Sequence, residues 1–113
     1  MIQHEIDIPL HVLARKIGEE KAIRAWQRSR DAVRSLVDLV DSLGIGCSMQ
    51  AKRTLYLAGD ELGPRSLKTE VRLRHKAGIE ARYLDRETTG SEFGIDRRAS
   101  RAGHEGACHW NVL

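Results

Sequence analysis

Between positions 19 and 44 the apolar residues Ala22, Trp26, Val33, Leu36, Val37, Val40 and Leu43 recur three or four apart. That spacing lines one stripe of an α-helix, whereas a strand would place them on alternate positions. Glu19 and Glu20 fall in the first turn, where the helix dipole favours negative charge, and Gly44 follows the last periodic residue, where a left-handed cap favours a residue without Cβ. Most charged side chains lie off the stripe, with Arg34 and Asp38 at pair spacing, and Ser29 is the one polar residue in core phase. A helix of this kind requires a surface to cover.

Upstream, Ile2, Ile6 and Ile8 frame a short extended segment ahead of Pro9. Pro9 then opens a short helix through Ile17, with Leu10, Leu13, Ala14 and Ile17 on one face and Gly18 at its end. The two helices read as a hairpin. Downstream, two extended segments are expected, 45–49 and 53–58, joined by a polar turn at Gln50, Ala51 and Lys52. Pro64 starts a helix running to about Ala77, with Leu67 and Val71 inward, Glu70, Arg72, Arg74 and Lys76 outward, and Gly78 as its cap. A third short strand follows at 81–84, and Asp85 is a suitable N-cap for a weak fourth helix opposed by Thr88, Thr89 and Gly90. From about Arg97 the periodicity is lost, which predicts a loosely ordered tail over 97–113. The expected fold is α+β: a helical hairpin, then a small sheet of short strands with one packing helix, and a disordered C-terminal tail.

With 113 residues this is one small domain, and 41% apolar content with only Trp26, Trp110, Tyr56, Tyr83 and Phe93 as aromatics predicts a thin core. The net charge of +3 arises from basic residues interleaved with acidic ones, without the arginine-rich face and stacking aromatics of a nucleic-acid binder. No apolar run reaches the roughly 18 to 20 residues that span a bilayer, and the first residues lack the basic start and apolar run of a signal peptide. The expected setting is the cytoplasm, with no nucleic-acid or membrane partner.

No catalytic or metal site is assigned. Gly44-Ile45-Gly46 follows a helix, has Met49 where a third glycine belongs, and precedes an extended segment, so it is not a dinucleotide fingerprint. His104, Cys108 and His109 with Cys47 lack the paired short spacings of structural zinc sites. Cys47 reads as a small core residue, and His4, His11 and His75 as surface residues without a carboxylate partner.

Three stretches carry a family resemblance: Glu20-Lys21-Ala22-Ile23-Arg24-Ala25-Trp26 in the helix pair, Leu55-Tyr56-Leu57-Ala58, and Tyr83-Leu84-Asp85-Arg86 followed by Phe93-Gly94-Ile95. In that order they resemble the middle part of FAD-dependent oxidoreductases of the D-amino-acid oxidase type, the group of glycine and sarcosine oxidases. The resemblance covers 1–96 and implies a partial substrate-domain (cap-domain) segment, which in such enzymes supplies helices and the first strands of the sheet that walls the flavin. It implies FAD as cofactor and amines or amino acids as substrates. The family's N-terminal GxGxxG segment and its glycine-rich C-terminal part have no counterpart here, so the chain alone is expected to be inactive and to bind FAD weakly at most. The departure after Asp96 points to a truncated or frame-altered product. The partners implied are the missing parts of the same enzyme; the alternative is a stand-alone module that self-associates through the long helix.

Overall fold

The computed structural model describes residues 2–47, 49–59, 62–95 and 107–112. Among them are helices α1 (Leu10–Ile17), α2 (Glu19–Ser42), α3 (Pro64–Lys76) and α4 (Arg86–Phe93), and strands β1 (Lys52–Leu57), β2 (Ala81–Leu84) and β3 (Ala107–Val112). The fold is α+β, with the helical hairpin and the packing helix where the sequence places them.

Local chemistry sets the element ends. Gly18 joins α1 to α2 at φ 91°, a backbone that L-residues rarely adopt. At the far end of α2, Gly44 takes φ 63°; its amide donates to the Asp41 carbonyl at 3.1 Å and that of Ile45 to the Val40 carbonyl at 3.1 Å. These are the two bonds of a Schellman cap. The same pair closes α3, through Gly78 to His75 and Ile79 to Arg74. Asp85 caps α4, its carboxylate accepting from the Thr88 amide at 2.8 Å.

The Ile45 cap explains one departure from expectation. Residues 45–47 and 49 form no strand, because the Ile45 amide is committed to closing α2 and Gly44 and Gly46 weaken extended pairing. β1 instead pairs antiparallel with β3, from Lys52 opposite Val112 to Leu57 opposite Ala107, and β2 pairs with the other edge of β3. The sheet order is therefore β1-β3-β2, and 107–112, expected within a loosely ordered tail, is its central strand. Backbone pairing to two neighbours supplies the order that the side-chain pattern of this stretch does not announce. The rest of the expected tail lies outside the described residues.

Two apolar clusters meet at α3. One joins Leu67 and Val71 to Ala58, Leu62 and Ala81 on the sheet side; the other joins Leu10, Ala22 and Trp26 of the hairpin to Ala77 and Ile79. α3 is thus enclosed by the hairpin on one side and by β2 and β3 on another. No helix among the described residues is long and apolar enough to cross a membrane.

Candidate functional site

Because α3 is covered on more than one face, its polar residues at Glu70 and Arg74 are buried, at 1% and 3% exposure, and not outward as their charge suggests. Glu70 reaches the start of α1. Its Oε1 accepts from the Leu10 amide at 2.9 Å and from Arg74 Nε at 2.8 Å; its Oε2 accepts from the His11 amide at 2.8 Å and lies 2.7 Å from His11 Nδ1. Pro9 offers α1 no side-chain cap, so a carboxylate from another helix satisfies the first-turn amides. Burial alone would raise the Glu70 pKa; the Arg74 charge and the bonds from His11 and Leu10 more than reverse this and hold it below the ordinary value of 4.5.

Arg74 continues the network. Its Nη1 donates to Glu5 at 2.9 Å, and its guanidinium lies 4.5 Å from the centre of the Trp26 ring. Glu5 is pushed up by burial, an effect that Arg74 only partly offsets. His4 stands edge-on to Trp26, with ring centres 6.1 Å apart, and is held below its ordinary 6.5 by burial and then by the charges of Arg74, Arg30 and Arg34. His4 Nε2 and Trp26 Nε1 are buried without a hydrogen-bond partner among the described residues.

His4 and His11 are therefore buried, and His11 has the carboxylate partner that sequence reading did not assign. His75 is exposed, with Nε2 against the Ala81 carbonyl. Cys47, expected in the core, is exposed. His104 lies outside the described residues, and Cys108 and His109 fall on β3. Among the described residues no group of three or more His, Cys, Asp or Glu side chains could hold a metal ion. The signal that could have exposed the cluster is helical position: Glu70 and Arg74, at i, i+4 spacing, fall inside the arc bounded by Leu73 and Ala77 on one side and Leu67 and Val71 on the other, opposite the exposed face of Arg65, Lys68, Thr69, Arg72, His75 and Lys76.

A cleft of about 210 Å³ opens beside this network, lined in part by Glu5, Asp7, Trp26, Tyr56, Glu70 and Arg74. Both Glu70 oxygens already accept two bonds each, so this carboxylate is a structural knot and not a free base. This cleft does not fit FAD. The cleft is smaller than the roughly 300 to 1,000 Å³ of small-molecule sites. A pyrophosphate needs a glycine-rich turn between a strand and a helix N-terminus, whereas Gly44 and Gly46 follow a helix and lead into irregular chain.

The second feature is the flank of α2. Its first half is tied down: Ala22 and Trp26 are buried, Gln27 Nε2 and Arg30 Nη1 each donate to the Ala77 carbonyl at 3.2 Å, and Arg30 also to that of Gly78 at 3.0 Å. Ser29, the polar residue in core phase, donates to the His4 carbonyl at 2.7 Å and so docks the N-terminal segment. The second half is not covered: Leu36, Leu39 and Leu43 are 37%, 52% and 63% exposed, and Val33, Val37 and Val40 only half-buried. Lengths explain this, since α1 has 8 residues against 24 in α2, about 12 Å against 36 Å at 1.5 Å per residue.

Comparison with models of known protein families, with curated proteins and with solved structures finds no match.

Proposed function

We propose that this chain is a segment of an FAD-dependent oxidoreductase of the D-amino-acid oxidase type, acting on amines or amino acids, and that it contributes framework and not catalysis. The observation that carries the reading is the half-covered α2. A helix patterned for burial over its whole length is buried only where α1 and α3 reach it, as a domain segment would be when its neighbours are elsewhere. The element order, a helix pair followed by β1, α3, β2 and α4, agrees with the segment the resemblance implies. FAD would then be held by the rest of such an enzyme, with this segment supplying part of the wall.

A graft tests it. Residues 2–95 replace the corresponding segment of a glycine-type oxidase, and the purified protein is examined for flavin absorbance. Retained, protein-bound flavin is expected; a soluble, folded, colourless graft would refute the reading. The chain by itself should leave the fluorescence of added FAD unchanged.

A further inference from the structure

We infer that residues 2–8 form a strap that acid releases, with His4 as its latch: when the imidazole takes a proton, the segment lifts from Trp26 and the cleft beside Arg74 loses one wall. The inference goes beyond the flavin reading and does not depend on it, since it concerns how this segment is fastened to the chain's own helices.

The strap is held by side chains. Residues 2–8 form no helix or strand, and among the described residues no backbone–backbone hydrogen bond joins them to another element. Ile2, Gln3 and Asp7 are exposed and Glu5, Ile6 and Ile8 half-buried, so His4, at 7% exposure, is the one side chain of the segment that is fully inserted. Its ring stands edge-on to Trp26. Two ties flank it: the Ser29 hydroxyl donates to the His4 carbonyl at 2.7 Å, and Arg74 Nη1 donates to the Glu5 carboxylate at 2.9 Å. The strap supplies Glu5, Asp7 and Ile8 to the lining of the cleft, and the helices supply Trp26, Leu67 and Arg74.

The slot accepts a neutral ring and not a charged one. His4 Nε2 is buried with no hydrogen-bond partner among the described residues, so the N–H that a charged imidazole carries there finds no acceptor. The surrounding charges have the wrong sign: after burial itself, Arg74 from α3 and then Arg30 and Arg34 from α2 all disfavour the charged ring. The nearby carboxylates are committed elsewhere. Glu70 is bonded to Arg74, His11 and the first turn of α1, Glu5 to Arg74, and Asp31 to Arg30, while Asp7 on the strap is exposed. A released histidine titrates near its ordinary 6.5, so protons favour the open strap below that pH, by about tenfold in the opening equilibrium for each unit of depression on docking. Glu5 opposes this, because its raised pKa favours the docked strap in acid; Glu5→Gln removes both that opposition and the Arg74 ion pair, and should move the release to higher pH.

Trp26 reports the release. Acrylamide quenching is measured in the Trp110→Phe chain, where Trp26 is the sole tryptophan, with circular dichroism following the helices over the same range. Between about pH 7.5 and about pH 5 the quenching constant should rise twofold or more while the helical signal holds, as local opening requires. His4→Phe fills the slot with a ring that takes no proton and should abolish the rise. Ser29→Ala removes one tie and leaves the latch, and should keep the rise but shift it to higher pH. In the native chain, which needs no substitution, the Trp26 indole N–H resonance should broaden more with a soluble nitroxide at the acid end. Quenching or broadening that does not change with pH, a rise that persists in His4→Phe, or a rise that only accompanies loss of helix would overturn the proposal. A colourless oxidase graft leaves all of these readings as they are.

Discussion

Glu70 is the side chain on which the packing of α1 against α3 most depends, because four donors from three residues end on it. Glu70→Ala would leave the Leu10 and His11 amides and part of the Arg74 charge unpaired in the interior, and should cost about 3 to 5 kcal/mol of unfolding free energy. A shift in the denaturation midpoint equivalent to less than about 1 kcal/mol would place the network at the surface instead.

The buried titrating groups also fix the sign of the pH dependence. The folded-state pKa of His4 lies below its ordinary 6.5, so its contribution to stability is present above that pH and lost as the pH falls through the depressed value. Glu70, also depressed, contributes above 4.5 and loses that contribution at lower pH. Glu5 acts in the opposite sense: its raised pKa favours the fold below 4.5, and that gain is lost as the pH rises through the raised value. The first loss on acidification should therefore begin near pH 6.5, and His4→Phe should remove it while leaving the acid limb of Glu70. An unchanged profile in that variant would assign the loss elsewhere.

At the scale of elements, the sequence made the helices legible and the sheet only in part. Helix periodicity, Pro9, Pro64, Asp85 and the glycines at 18, 44 and 78 mark element ends within the chain itself, so local chemistry is enough to read them. β3 could not be read that way. Its order comes from lying between β1 and β2, which are far from it along the chain. The burial of Glu70 and Arg74 was hidden for a related reason, since charge is a local signal and enclosure by two clusters is not.

Gly78 shows the reach of a single cap. Its φ is +70°, and a Cβ placed there would lie 3.3 Å from Arg30 Nη1, which itself bonds the Gly78 carbonyl. Gly78→Ala should therefore destabilise by about 1 to 2 kcal/mol through the left-handed backbone. It should also loosen the tie between α2 and α3, visible as faster amide exchange at Ile79.

For the whole molecule the issue is why a small domain carries a helix of 24 residues when its neighbours cover about half of it. A domain of this size has little apolar area to spare, so an uncovered seam is costly in solution unless something closes over it. In an intact oxidoreductase of the proposed kind that cover would come from the adjoining domain. Leu36→Ser should therefore change the unfolding midpoint of the free chain much less than a substitution at the buried Trp26.

Amide exchange along α2 is the most direct measurement. In the dilute free chain, amides of residues 33–42 should exchange much faster than those of residues 22–30, and in the oxidase graft the two halves should become equally protected. Equal protection of both halves in the dilute monomer would mean that the chain already covers its own seam, and would contradict the account.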